Sequence, residues 1–236
     1  MNDRYLYLAL DLASISIPLL FSFYKPAPFY KTWKNLWPAI IIPAVIFMVW
    51  DEWFTRMGVW GFNPRYLTGV YVGNLPLEEI LFFICIPYAC VFTYFALKYL
   101  IEKDYLFPHQ ELISSTIIIL MLLIGMHQIE KWYTGVTFML LGLFLAFQML
   151  KIRPRYMGRF YLAYAVILIP FFIINGILTG SFIEEEVVWY NNNENLGFRL
   201  GTIPVEDIFY GMLLILMNVV IYEWLQEKNP ARKRDS

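Results

Sequence analysis

Apolar residues in this chain fall in long unbroken runs rather than in the alternating or one-sided stripes of a soluble domain. Seven runs stand out, near Tyr5–Tyr24, Leu36–Trp53, Pro76–Leu97, Leu112–Gln128, Trp132–Leu150, Phe160–Ile183 and Pro204–Leu225. A helix that crosses a bilayer needs about 20 mostly apolar residues. Six runs are near or above that length and the fourth is short. The first carries Asp11 and lacks the continuous uncharged centre of a signal peptide, so it too reads as a helix. The pattern predicts an all-α integral membrane bundle of about seven transmembrane helices. Composition agrees: 59% of the 236 residues are hydrophobic and 16% charged, against about 25% charged in an average soluble domain.

Charge sets a direction and excludes some classes. Seven spans put the termini on opposite sides. Arg4, Arg56, Arg65, Lys131 and Arg199 fall on the N-terminal side, and the other thirteen of the 18 Lys and Arg on the C-terminal side. The positive-inside rule then predicts a cell (inner) membrane protein with its N-terminus outside and its C-terminus in the cytoplasm. The basic tail Lys228–Ser236 is expected at anionic headgroups. A net charge of −1 gives no footing for nucleic acid. Two cysteines, Cys85 and Cys90, share one apolar run, so neither a disulfide framework nor a cysteine zinc site is expected. With only His109 and His127, no metal site is expected either.

The chain repeats itself. Gly73-Asn-Leu-Pro76-Leu-Glu78-Glu79-Ile-Leu-Phe82 is matched by Gly201-Thr-Ile-Pro204-Val-Glu206-Asp207-Ile-Phe-Tyr210. Upstream, Trp60 and Asn63 are echoed by Trp189 and Asn191. The repeat predicts two parallel three-helix units, 1–105 and 131–227, around a linker helix in 106–130, with 228–236 as the tail: a 3+1+3 order. Both acidic motifs then start helices at the same membrane face. Proline suits a first helical position, where its missing N–H is no loss. That puts Glu78 and Glu206 in the first turn, with Glu79 and Asp207 about 100° further round. Asp11, Asp51, Glu52, His127, Glu130 and Asn175 fall at a similar depth. An ionisable group within a membrane costs roughly 2.5–3.5 kcal/mol even on the lenient scale, so such groups usually face an interior site.

A glutamate in a first turn also suits the helix dipole, and one copy of the motif would be read as a helix start. Two copies point to a site. Two acids held close together keep a proton between them, which is what acid catalysis on an alkene needs. The resulting carbocation would be stabilised by aromatic faces, by roughly 2 kcal/mol each when desolvated. Phe82 and Tyr210, one turn after Glu78 and Glu206, are candidates. No dinucleotide, P-loop or serine-hydrolase motif occurs, and no cofactor is expected. A retinal protein would need a lysine between Pro204 and Leu225, where there is none; a prenyltransferase would need paired Asp-x-x-x-Asp motifs, also absent. A small-solute transporter of 3+1+3 topology remains the rival from another class, and a hydratase acting on such an alkene the nearer one.

The duplicated Gly-x-[Leu/Ile]-Pro-[Leu/Val]-Glu-[Glu/Asp] motif, with Trp50-Asp51-Glu52-Trp53 and Gly58-Val-Trp60-Gly-Phe-Asn63-Pro64 upstream, resembles the membrane-integral lycopene cyclase domain. That family occurs as two-subunit bacterial cyclases, as fused single chains, and as the cyclase part of fungal bifunctional enzymes. The resemblance covers nearly the whole chain. It implies a lycopene β-cyclase, an intramolecular lyase or isomerase of carotenoid biosynthesis that turns ψ-ends into β-rings. Its acidic motif falls on Glu78, Glu79, Glu206 and Asp207, with Asp51 as the upstream acid. Trp60, Phe82, Asn175, Trp189 and Tyr210 are then expected to contact substrate. The implied partners are lycopene and other ψ-end carotenoids, membrane lipid and other carotenoid enzymes. One departure stands out: the family pattern leads to an acid in the sixth span, where Asn175 is the nearest candidate.

Overall fold

The computed structural model describes residues 3–228. Seven helices form it: α1 (Leu6–Phe21), α2 (Trp33–Met57), α3 (Leu77–Leu100), α4 (Gln110–His127), α5 (Trp132–Phe147), α6 (Met157–Leu178) and α7 (Val205–Glu227). All seven, some with a short flanking turn, are long and apolar enough to cross a membrane. The protein is an all-α membrane bundle. Of the basic tail, everything past Lys228 lies outside the described residues.

The boundaries depart from the apolar runs for local reasons. Helix α2 begins before its run and continues through Glu52 and Arg56, because polar side chains at a membrane surface do not interrupt backbone hydrogen bonding. Helix α6 stops short of Ile183: Gly180 takes φ +109° and the Ser181 N–H turns back to the Gly176 carbonyl. The apolar Phe182 beyond it is fully exposed.

Helix α1 packs on α3 and α5 on α7, while α2 crosses to α7 and α6 to α3. The two halves thus interlock instead of standing side by side. Helix α4 covers α5. Large apolar side chains such as Leu20, Val49, Leu123 and Ile169 face outward, whereas Asp11, Asp51, Glu78, Glu79, Glu206 and Asp207 are buried. Packing of this kind suits a lipid solvent, which puts no penalty on exposed leucine and a large one on an exposed carboxylate.

Two matched hairpins precede α3 and α7. Strand β1 (Trp60–Phe62) is followed by β2 (Tyr71–Val72) and β3 (Leu75–Pro76). In the second half, β4 (Val188–Tyr190) precedes β5 (Arg199–Leu200) and β6 (Ile203–Pro204). Tyr71 pairs with Pro76, and Arg199 with Pro204. Gly73 and Gly201 both take φ +66°, as the first central position of a two-residue hairpin loop requires. Pro76 and Pro204 therefore end strands, and the helices start one residue later than the N1 placement expected from the sequence. Proline is suited to this place as well, since the residue before a helix has no N–H to give to it. The Leu77 and Val205 N–H groups are taken up by the Val70 and Phe198 carbonyls.

Glu78 and Glu206 hold these hairpins to their helices. Glu78 Oε1 accepts from the Thr68 N–H at 2.7 Å; Glu206 Oε1 accepts from the Leu196 N–H at 2.7 Å and the Thr134 hydroxyl at 2.6 Å. Both side chains are wholly buried. The loops meet in turn through β1 and β4, an antiparallel pair with Trp60 opposite Tyr190 and Gly61 opposite Trp189. The Trp189 ring lies over Gly61 so closely that a Cβ there would fall 2.4 Å from it.

Replacing Glu206 by Leu leaves two donors without an acceptor, and Glu78→Leu leaves one. Each buried unpaired donor costs about 1–3 kcal/mol. Thermal unfolding in detergent should show both variants destabilised, Glu206→Leu more, with Glu78→Gln and Glu206→Gln much closer to the parent because an acceptor oxygen remains.

Candidate active site

The helix starts and loops on one face close over a cavity of about 420 Å³. Its walls come from α1, α3, α6 and α7, with Asp51 of α2, Tyr133 of α5 and residues of β1 and β4 at the same end. The carboxyl groups gather at that end: Asp51, Glu79 and Asp207, with Tyr7, Trp60, Tyr133, Asn175 and Tyr190 around them. The remainder is mostly apolar, running past Ile17, Ile86, Ala89, Phe171 and Leu214. Among the described residues, no Lys, Arg or His lines it, and no group of three or more His, Cys, Asp and Glu is arranged to hold a metal ion.

Two kinds of carboxyl group face this space. Asp207 receives three hydrogen bonds: the Tyr133 hydroxyl donates to Oδ1, and the Asn175 amide (2.7 Å) and Tyr190 hydroxyl (3.0 Å) donate to Oδ2. Burial, then the Asp207 charge, pushes the Tyr190 phenol well above its ordinary range, so it remains a donor. Glu79 and Asp51 instead lie within hydrogen-bonding reach of each other. The Tyr7 hydroxyl donates to Glu79 Oε2 at 2.5 Å and the Trp60 indole N–H to Asp51 Oδ1. Asp51 Oδ2 has no donor. Contact between two carboxyl groups with no cation beside them is attractive only when a proton lies between them.

Aromatic rings enclose the acids. The Trp60 ring stands 5.0 Å from Tyr133, 6.2 Å from Tyr190 and 6.0 Å from Tyr210, centroid to centroid. Tyr133 stacks on Tyr190 at 5.7 Å. Tyr7 meets Phe82 at 6.4 Å as Tyr133 meets Tyr210 at 6.2 Å.

The fold brings Asp51, Glu79, Asp207, Trp60, Phe82, Asn175 and Tyr210 to one cavity. It does not bring Glu78 and Glu206 there. Adjacent residues on a helix point about 100° apart, and in each pair the first acid turns to the loop and the second to the cavity. Trp189 is also off the wall. It is 39% exposed and stands across from Gly61, so the position matching Phe62 is Tyr190, which does line the cavity. Glu52 accepts from Asn74 at the first hairpin, and His127 and Glu130 are exposed. Asp11 is buried one helical turn beyond Tyr7, off the cavity wall. Sequence reasoning missed Tyr7, Tyr133 and Tyr190, which look like members of an aromatic belt at span ends. The available signal is positional: Tyr7 and Tyr133 both open the helix that packs on an acid-bearing helix of their own half.

A 98-residue segment is 28% identical to a bifunctional lycopene cyclase/phytoene synthase of Aspergillus oryzae, covering 40% of this chain and 17% of the relative, so the chain spans only a small part of that protein. No solved structure matches. Residues 4–97 and 130–225 match the lycopene cyclase family. The two matched segments contain both acidic helix starts and every acid on the cavity wall, and the chain belongs to the lycopene cyclase family.

Proposed function

We propose that the protein is a lycopene β-cyclase that closes ψ-ends of linear carotenoids into β-rings by acid catalysis. The observation that carries this reading is the cavity itself: three carboxyl groups at one end of an otherwise apolar, aromatic-walled space within a membrane bundle. An apolar ligand with no polar handle fits such a space, and acid–base chemistry is what its polar groups offer it.

The Glu79–Asp51 pair holds a transferable proton, and Glu79 delivers it to the terminal double bond of the ψ-end. The tertiary cation that forms is attacked by the neighbouring internal double bond, which makes the ring C–C bond and moves the charge onto the ring. Asp207, charged and fixed by three donors, faces that charge together with the rings of Trp60, Tyr133 and Tyr210. Loss of a ring proton to a carboxylate completes the β-ring. One proton enters and one leaves, so substrate and product are isomers. Glu78 and Glu206 support this centre by holding the loops over it.

The same reading takes 1–105 and 131–227 as parallel repeats joined by α4, with the N-terminus outside the cell membrane and the acidic end at its outer face. Corresponding parts differ in chemistry. Asp51 touches Glu79, whereas Asn175 donates to Asp207. An asparagine has no labile proton to offer, so the two halves hold their acids in different states.

Membranes containing the protein and lycopene should yield γ-carotene and β-carotene on pigment chromatography. Hydroxylated ends in place of rings would make it a hydratase, and unchanged lycopene with folded protein would remove the cyclase reading. Glu79→Gln and Asp207→Asn should each lower turnover by about 10²–10⁴-fold, the range of general acid–base catalysis. Glu78→Gln and Glu206→Gln should retain most of it. Asp51→Asn should be severe and Asn175→Ala milder, because Asp207 keeps its tyrosine donors. A reporter active only in the cytoplasm, fused after Ser236, should be active; a silent, expressed fusion reverses the orientation.

A further inference from the structure

The cavity continues from the acids as a narrow apolar arm. On α3 its wall runs from Glu79 to Thr93, about 21 Å at 1.5 Å per residue, against a hydrocarbon core of about 30 Å. Helices α1 and α6 flank this arm, and the main packing partner of each is α3 rather than the other. Residues on their facing edges both line the arm and reach the outside. Ala13 and Ile17 on α1 and Pro170 on α6 are exposed, Ile17 to 63%. At that depth the outside is lipid.

The second half of the bundle has the matching place, between α5 and α2, and there the groove is filled. The hairpins and acids of the two halves correspond at a constant spacing, Pro76 with Pro204 and Glu79 with Asp207. At the same spacing Phe83 corresponds to Gly211. Gly211 lines the arm, and a Cβ on it would fall 3.3 Å from the Tyr164 hydroxyl and 4.0 Å from Phe171. Phe83 is fully buried against Phe47, ring centroids 6.2 Å apart. One residue before each upstream polar partner, Asp51 or Asn175, stand Trp50 and Ile174. Ile174 lines the arm, while Trp50 and Phe47 each close on Tyr210 at 5.0 Å. A glycine and an isoleucine leave open on one side what a phenylalanine and a tryptophan plug on the other.

We propose that this arm is the binding slot for the polyene chain of the substrate, that the chain passes into it sideways from the lipid between α1 and α6, and that with the twin groove plugged the protein cyclises one end per visit. The inference rests on the cyclase reading above. All three cavity acids converge on a single centre, so a carotenoid with two ψ-ends must leave, turn round in the bilayer and return. The occupant is an uncharged linear isoprenoid chain: no cation lines the arm to meet a headgroup or a phosphate, and the arm is continuous with the acids that act on the end group.

The test uses the full chain in lipid bilayers with excess lycopene, sampled over time. Free monocyclic product should exceed the amount of protein before bicyclic product appears. Gly211→Phe, which copies Phe83, and Ile174→Trp, which copies Trp50, should each lose cyclisation by about a hundredfold or more, the cost of misplacing a reacting group. Leu123→Trp, on the outer face of α4, which contributes nothing to the cavity wall, should cyclise at the parent rate. Bicyclic product from the first turnovers without a free monocyclic pool would overturn the one-end inference, and folded Gly211→Phe and Ile174→Trp proteins at full rate would overturn the slot. The product order needs no variant, so it decides even if both substitutions prevent folding. An unmodified protein inert on lycopene would instead remove the cyclase reading itself.

Discussion

A carboxyl group inside a membrane bundle must either find hydrogen-bond donors or keep its proton, because no water is at hand to solvate its charge. Five buried acids at one face, Glu78, Glu206, Asp207, Glu79 and Asp51, make this the constraint on which the rest of the structure depends. They find three different answers. Glu78 and Glu206 take backbone N–H groups from the loops that precede them. Asp207 takes two phenols and an amide. Glu79 and Asp51 take each other, with Tyr7 and Trp60 completing the pair. The first answer builds the loops, and the other two build the reactive end of the cavity.

The loops and the cavity are therefore products of the same helix turn. Two neighbouring acids at N2 and N3 of α3 and α7 point to different sides. One reaches back to hold the hairpin and the other reaches in. The clamped hairpins carry β1 and β4 into register with each other, which sets Trp60 over Asp51 and Tyr190 beside Asp207. Loosening a clamp would thus disturb donors of Asp51 and Asp207 without touching either acid.

The halves are related by near-matching geometry and separated by a few side chains. Parallel repeats in a membrane are related by an axis along its normal, and the antiparallel pairing of β1 with β4 fits that relation. By position in the two halves, Asp51 corresponds to Asn175, Phe83 to Gly211 and Trp50 to Ile174. In the proposed mechanism the first exchange makes one carboxyl site proton-holding and the other charged. The other two open one groove and close its twin. Interlocking of α2 with α7 and of α6 with α3 lets these differences act on one shared space rather than on two separate pockets.

Much of this was legible in the chain itself. Seven apolar runs dictate seven spans because a bilayer demands about 20 apolar residues for each crossing. The repeated Gly-Pro-Glu motif marks two helix starts on one face, since glycine takes φ +66° without steric cost and a chain turning into a helix tolerates proline. The same motif singled out Glu79, Asp207, Phe82 and Tyr210, but Glu78 and Glu206 with them, while Asp51 came from the upstream residues that carry the family resemblance. The tertiary structure alone decided which acid of each pair reaches the cavity, because a helix start read from sequence does not say which way it is rotated. It alone placed Trp189 over Gly61 and Tyr190 on the wall, since a strand register off by one exchanges the faces. The three tyrosine donors were hidden among 17 tyrosines, most of them suited to an interfacial belt. Their role depends on partners 17 to 74 residues away in the chain, and only packing of the helices determines which distant side chains meet.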